Sequence, residues 1–453
     1  MEIIRLIRQQ AEIRPSHIAL HCFGAGAPLT YGELIQQVER VAAWLESRGC
    51  RPADRCGLMV GEGPDFLINA LGILAAGLCL APIGLFLPQG DHDFIIGSAG
   101  LHWLLQGKSQ LVRFPFASPV DAHTDQDYRA VSPAYIRFTS GTTGARKGVL
   151  LGHPTIIDRL NAADTVLKIR PEDRVWFTLP MADHFVVSIL LYLSRGATVI
   201  TTRDAQPESW RQLVREAKPG LIYGAPDFYE QLVGSPVEEL PGVRLAISTA
   251  SLLAPKTQEA FWRRFGKPLS PALGIIEAGL LTIDFQADQA GSVGTPLPSY
   301  KVAILNEDET PVMPGEAGQL YVQGPGLLDA YLAPWRPRSD LLKRYGYPTG
   351  DFARLDENGF LFLAGRGKNR LQVNGLSFFC EEIESILNTM PGILESRVFI
   401  DRGQLAAEIV GTTESIQTLP QLLRAKVDPR KVPSVFLRVD HLPRTANGKL
   451  LRH

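Results

Sequence analysis

Apolar positions along this chain recur at two spacings that alternate. Ile3, Ile4, Leu6 and Ile7 give one helical face, and Ile18-Ala19-Leu20 reads as a short strand ahead of the turn at Gly24-Ala25-Gly26. Thr30 followed by Glu33 is a capping box; the stripe Leu34, Val38, Val41, Ala42 and Leu45 carries that helix to a stop at Gly49. Asp54 to Val60 predicts a buried strand, Asp65 to Gly77 a helix, and Leu80 to Ile83 the next strand. Further on, Ile156 to Leu167 predicts a helix. Arg174 to Thr178, Ala197 to Ile200, Leu221 to Tyr223 and Leu245 to Ser248 predict strands. Strands alternating with helices indicate βαβ units and a parallel sheet, so the expected class is α/β. Past residue 290 the pattern turns to short strands and turns (Gly291 to Pro296, Gly318 to Val322, Phe360 to Ala364, Leu371 to Val373), and a helix begins near Cys380. Residues 88–134 yield no reading.

One stretch breaks the apolar pattern. Phe138-Thr139-Ser140-Gly141-Thr142-Thr143-Gly144-Ala145-Arg146-Lys147-Gly148-Val149 lies between the apolar Ala134-Tyr135-Ile136 and Val149-Leu150-Leu151. Glycines let the backbone turn tightly and bring N–H groups to an anion, hydroxyls add donors, and Arg146 and Lys147 add positive charge. These properties together describe a loop that wraps a polyphosphate. The other reading is a surface hairpin, since Ser/Thr/Gly clusters commonly make loops. The order of residues is not the Gly-x-x-x-x-Gly-Lys-Ser/Thr pattern, because Arg146 stands fifth after Gly141 and Gly148 follows Lys147.

Composition narrows the classes. A chain of 453 residues exceeds one ordinary core, so two or three units are expected. Lys and Arg total 46 against 47 for Asp and Glu, a balance that argues against nucleic acid or an anionic membrane as the main partner. The charges within Met1 to Arg8 are unlike a signal peptide, and the longest apolar run, Leu67 to Leu85, contains Asn69 and several glycines. Cys22, Cys50, Cys56, Cys79 and Cys380 fall at no metal or redox spacing, as expected in a reducing compartment. A cytoplasmic protein without a membrane span is the expectation.

The segment 138–149 resembles the phosphate-binding loop of the adenylate-forming superfamily: acyl-CoA synthetases, nonribosomal peptide adenylation domains and beetle luciferases. Other segments resemble that superfamily in the same order. Tyr347-Pro348-Thr349-Gly350-Asp351 is similar to its Tyr-x-Thr-Gly-Asp, and Gly365-Arg366-Gly367-Lys368 to its hinge. Leu371-Gln372-Val373-Asn374-Gly375 is similar to its Ile-Lys-x-x-Gly, and Leu442-Pro443-Arg444-Thr445-Ala446-Asn447-Gly448-Lys449 to its Leu-Pro-x-Thr-x-x-Gly-Lys. Pro271 to Glu277 resembles Asn-x-Tyr-Gly-x-Thr-Glu, keeping Gly274 and Glu277. Leu273 stands where a Tyr would stack on adenine, and Ile276 where a Thr would donate to the α-phosphate. Thr249-Ala250-Ser251 fills the adenine-seating position with small residues but no glycine.

The resemblance implies a large N-terminal domain, residues 1–366, of layered α/β sheets with a β subdomain, and a small mobile α+β domain, residues 367–453. It implies a reaction in two halves: a carboxylate attacks the α-phosphorus of ATP to give an acyl adenylate and pyrophosphate, then a thiol of CoA or of a carrier-protein phosphopantetheine displaces AMP. It places Thr139, Ser140, Gly141, Thr142, Thr143, Gly144 and Lys147 on the phosphates, and Glu277 on Mg²⁺. Thr249, Ala250, Ser251, Leu273, Gly274 and Ile276 fall around the adenine and α-phosphate. Asp351 and Arg366 fall on the ribose, and Lys449 between the attacking carboxylate and the phosphate. His184 would lie near the substrate carboxylate, Lys368 at the hinge and Gly375 beside the pantetheine tunnel. Phe185 is followed by Val186 rather than by the Asp that holds an α-amino group, which favours an acyl or aryl acid. Two alternatives stay open: an adenylate-forming amide ligase or amino-acid-activating enzyme, and a non-catalytic nucleotide-binding relative.

Overall fold

The computed structural model describes the chain except Met1, Lys108 and residues 115–121, 140–145, 203–205, 374–375, 402–403, 445–449 and 452–453. It is a mixed α/β fold of several sheets, and contacts group it into two compact units. The first comprises residues 1–139, 146–301 and 323–343, and the second residues 302–322 and 344–453.

In the first unit a nine-stranded sheet has six parallel strands at its heart, in spatial order Ile18–Phe23, Thr198–Thr202, Arg174–Phe177, Leu221–Gly224, Leu245–Ser248 and Leu269–Ile275. Each alternates in sequence with helices, because a parallel pair needs a crossover long enough to hold one. Trp176, Trp210, Tyr229 and Phe261 fill one side of this sheet, with Trp176 edge-on to Trp210 at 5.7 Å. An eight-stranded sheet is built round parallel Arg55–Met59, Cys79–Pro82, Trp103–Gln106 and Pro133–Phe138. Thr30 caps Tyr31–Ser47 as a full capping box, as its sequence predicts.

Residues 88–134 fold as a helix Gln89–Ala99, an antiparallel pair Trp103–Gln106 and Gln110–Arg113, and a helix Ala122–Ala130. The first of these helices has almost no one-sided apolar stripe, with only His92, Ile95 and Ala99 buried, so periodicity could not announce it.

In the second unit the strands Lys301–Leu305, Gly318–Gln323, Tyr347–Leu355 and Leu361–Arg366 form an antiparallel-rich sheet. Beyond it a three-stranded sheet, Ile393–Asp401, Gln404–Gly411 and Val435–Arg438, packs with the helices Cys380–Leu387 and Thr413–Arg424 around Ile383, Leu387, Val398, Ile409, Leu419 and Leu423. Residues 344–366, expected within the larger domain, thus group by contact with the C-terminal residues. Packing and pivoting are different properties, and the backbone at the expected pivot, Gly367–Asn369, is one turn of 3₁₀ helix leaving the strand Leu361–Arg366.

Candidate active site

The glycine-rich loop joins two antiparallel strands, Pro133–Phe138 and Gly148–Gly152, paired up to Phe138 opposite Gly148. Its mouth is closed by Thr139, whose N–H donates to the Lys147 carbonyl at 3.0 Å while its Oγ1 accepts the Lys147 N–H at 3.1 Å. A Cβ on Gly148 would meet the Phe138 ring at 3.0 Å, so a glycine lets the exit strand approach that ring. Ser140, Gly141, Thr142, Thr143 and Gly144 lie outside the described residues. The two cations part company. Arg146 turns to the helix Gln89–Ala99, pairing with Asp91 at 2.7 Å and lying over Phe94. Lys147 stays beside the loop, its Nζ 4.8 Å from the centre of the Tyr331 ring.

Tyr331 also donates its hydroxyl to Glu277 at 3.3 Å, so the lysine of the loop and the candidate metal carboxylate meet on one buried side chain. Nothing in the sequence around Tyr331 signals this; its place follows from a two-residue strand, Ala330–Tyr331, pairing with Val149 and Leu150 just past the loop. Glu277 sits in the turn between Leu269–Ile275 and Gly279–Ile283. That turn is held from below by Arg159, which donates to the Ile276 carbonyl at 2.8 Å and the Gly326 carbonyl at 2.5 Å. Burial pulls the Arg159 guanidinium down to about 10, so it stays charged at neutral pH. The neighbouring segment is fixed by Asp329, which accepts the Gly152 N–H at 2.6 Å, the Thr155 hydroxyl at 2.9 Å and Arg338 at 2.7 Å. The Leu328 N–H closes the circuit on the Glu277 carbonyl at 2.7 Å. Sequence reasoning singled out Glu277 but none of its supports.

His184 ends the short helix Met181–His184, and a π-helix, Phe185–Ile189, follows. Such helices widen the backbone locally and are frequent at functional sites. The imidazole lies edge-on to Phe177 at 6.4 Å and to Tyr223 at 6.0 Å, while Phe177 and Tyr223 stack at 6°. Burial pushes the Tyr223 phenol up to about 12, so it stays protonated. Asp183 is held by Arg137 at 3.0 Å. Thr249, Ala250 and Ser251 follow the strand Leu245–Ser248, with the Thr249 N–H on the Gly224 carbonyl at 3.0 Å. Ala250 adopts φ of 72°, a left-handed conformation that glycine takes freely. Leu273 and Ile276 are half-buried and Gly274 is exposed, at a register shift in the pairing of Leu269–Ile275 with Gly279–Ile283.

In the second unit, Asp351 and Arg366 are cross-strand partners and form an ion pair at 2.9 Å, the carboxylate buried and the guanidinium half-exposed. Gly375 and Lys449 lie outside the described residues. The residues flanking 445–449 are tied down: Arg444 bridges to Leu450, the Leu451 N–H reaches the Pro443 carbonyl at 2.8 Å, and Arg397 donates to the Leu451 carbonyl at 3.0 Å.

The profile of the AMP-binding enzyme family matches residues 7–332. A dimodular nonribosomal peptide synthase of Bacillus subtilis is 26% identical over 497 aligned residues, covering 99% of this chain and 20% of the synthase. A p-hydroxybenzoic acid–AMP ligase of Mycobacterium tuberculosis is 26% identical, covering 95% of this chain and 65% of that ligase. The chain therefore spans a minor part of the synthases it resembles. Among solved structures, ATP-bound MatB from Rhodopseudomonas palustris has a TM-score of 0.86 at 24% identity, covering 99% of this chain and 97% of the other. O-succinylbenzoate coenzyme A synthetase of Bacillus subtilis with AMP gives 0.84 at 20% identity, covering 99% and 97%.

Proposed function

The chain belongs to the AMP-binding enzyme family, and from that premise we propose that it activates an acyl or aryl carboxylic acid with ATP and passes the acyl group to a phosphopantetheine thiol. The observation that carries this reading is the meeting of Lys147 and Glu277 on Tyr331, at the exit of the glycine-rich loop. A lysine suited to β- and γ-phosphates and a carboxylate suited to a hard cation are what an in-line displacement at phosphorus needs within reach of each other.

In the first half-reaction an oxygen of the substrate carboxylate attacks the α-phosphorus of ATP, the bond to the bridging oxygen breaks, and pyrophosphate leaves with its electron pair. Lys147 and the loop donors take up charge on the leaving group, and Lys449 takes up charge at the attacking carboxylate and α-phosphate. Among the described residues no three His, Cys, Asp or Glu side chains cluster as a metal cage. The Glu277 carboxylate fits Mg²⁺, which is commonly held by one or two protein oxygens with phosphate oxygens and water. When bound, that ion neutralises phosphate charge. Thr249, Ala250, Ser251, Leu273, Gly274 and Ile276 seat the base and α-phosphate, and Asp351 with Arg366 the ribose. In the second half-reaction the thiol displaces AMP after the small domain, residues 367–453, has turned about Lys368 and opened a passage beside Gly375.

Support for an acyl or aryl acid comes from His184, edge-on to the stacked Phe177 and Tyr223, and from Asp183 being engaged by Arg137. The acceptor is the thiol of CoA or of a carrier protein, the latter suggested by the nonribosomal synthases among the relatives. One observation favours a second reading, a non-catalytic nucleotide binder: Leu273 and Ile276 cannot stack or donate as Tyr and Thr would. ATP–pyrophosphate exchange across a panel of fatty, aromatic and amino acids decides between them. Exchange with an uncharged acyl or aryl acid is expected. Exchange confined to α-amino acids refutes the substrate class, and ATP binding without any exchange supports the second reading.

A further inference from the structure

Tyr331 occupies a position that neither the phosphate loop nor the Glu277 turn explains by itself. Its backbone is pinned by pairing with Val149, and the Leu332 N–H donates to the Gly148 carbonyl at 2.8 Å. Its ring is almost wholly buried, yet its face meets an exposed lysine and its hydroxyl meets a half-buried carboxylate. A purely structural tyrosine would need only a partner for its hydroxyl. This one holds two oppositely charged side chains at once, one through its quadrupole and one through its hydroxyl.

We infer that Tyr331 is a positioning residue for the nucleotide–metal site, holding Lys147 at its ring face and Glu277 at its hydroxyl before ATP arrives; the inference rests on the adenylating reading above. Two consequences follow. Donation from the hydroxyl fixes one carboxylate oxygen of Glu277 and restrains rotation of its terminal torsion, so less order has to be imposed when a cation binds. The ring face keeps the flexible lysine near the loop mouth through a weak contact, one that phosphate oxygens, with full negative charge, readily outcompete. The two functions reside in different parts of one side chain and are therefore separable.

The test uses the full chain and measures ATP binding calorimetrically across a series of Mg²⁺ concentrations, with unfolding temperature recorded for each variant. Tyr331→Phe removes only the hydroxyl. The Mg²⁺ concentration needed for half-maximal ATP affinity should rise about fivefold to tenfold, while affinity for ATP without Mg²⁺ stays unchanged. Tyr331→Leu also removes the ring face. Here the Mg²⁺-free affinity should fall as well, by about threefold. Should the leucine variant fold poorly, the phenylalanine variant alone decides. A Tyr331→Phe protein with the wild-type Mg²⁺ dependence overturns the inference and leaves the adenylating reading standing. A fall in Mg²⁺-free and Mg²⁺-dependent affinity together in that variant makes Tyr331 a packing residue and overturns it too. Failure of the wild-type chain to bind ATP overturns both the inference and the reading on which it rests.

Discussion

Ala250 holds a backbone conformation against its ordinary preference, and His153 resists protonation more than a free imidazole does. Ala250 sits at φ of 72° where a Cβ crowds the carbonyl. Ala250→Gly should therefore raise the unfolding free energy by about 1 kcal/mol, read as a higher denaturant midpoint at unchanged slope. His153 opens the helix His153–Leu167; it is buried, and among the described residues its Nδ1 has no hydrogen-bond partner. Burial pulls its imidazole from 6.5 down to about 4. The unfolded chain then binds the proton at higher pH than the folded one. The stability from a neutral His153 is present above pH 6.5 and is lost as pH falls towards 4, to about 3 kcal/mol in all. Denaturant unfolding at pH 7 and pH 5 should show that loss beginning, and His153→Leu should flatten this part of the slope. An unchanged slope would mean that another group carries it.

Among elements, the segment from Gly326 to Tyr331 shows how backbone without long strands is made rigid. Its carbonyls are taken by Arg159 and Arg338, and its Asp329 satisfies the N-terminus of the helix His153–Leu167 through Gly152 and Thr155. The segment thereby links that helix, the exit strand of the glycine-rich loop and the Glu277 turn. Removing the Asp329 carboxylate takes the acceptor from the buried Gly152 N–H and Thr155 hydroxyl, while Arg338 keeps its carbonyl partners. Asp329→Ala should cost about 3 kcal/mol in thermal or denaturant unfolding. Its ATP affinity should fall as well, since Tyr331 is two residues away on the same segment. A variant of full stability would show that Arg338 and Thr155 find other partners.

For the whole molecule, the proposal that one small domain serves two half-reactions makes opposite demands on two residues. Lys449→Ala should abolish ATP–pyrophosphate exchange, yet let a synthetic acyl adenylate react with thiol at close to the normal rate. Gly375→Leu should leave exchange nearly intact and stop thioester formation, because a side chain at a narrow passage blocks the pantetheine arm. Both rates measured on each folded variant check this. Parallel loss of the two activities in Gly375→Leu would make Gly375 a turn residue and remove the passage. In the second unit, Arg397 holding the Leu451 carbonyl and Leu450 bridging to Arg444 show that the residues around 445–449 are anchored to the three-stranded sheet.

Local patterns determined what depends on neighbours in sequence. The capping box at Thr30 and Glu33, the strands Leu245–Ser248 and Leu221–Gly224, the start of the helix at Cys380 and the α/β class were all readable, because a cap or a strand is set by a few adjacent side chains and their period. The order of the glycine-rich loop, the Gly274 to Glu277 segment and the Thr-Gly-Asp segment was legible as a resemblance to the adenylate-forming superfamily. The tertiary structure decided which distant groups meet. Arg146 and Lys147 are adjacent in sequence, yet one turns to Asp91 and the other to Tyr331. Arg159, Asp329 and Arg338 carry no local signal, yet they hold the Glu277 turn and the segment beside it, because burial and partners at separations beyond a hundred residues leave no periodic trace. Ala250 kept the backbone of a glycine without its identity, since the strand ends around it fix φ more strongly than one side chain resists.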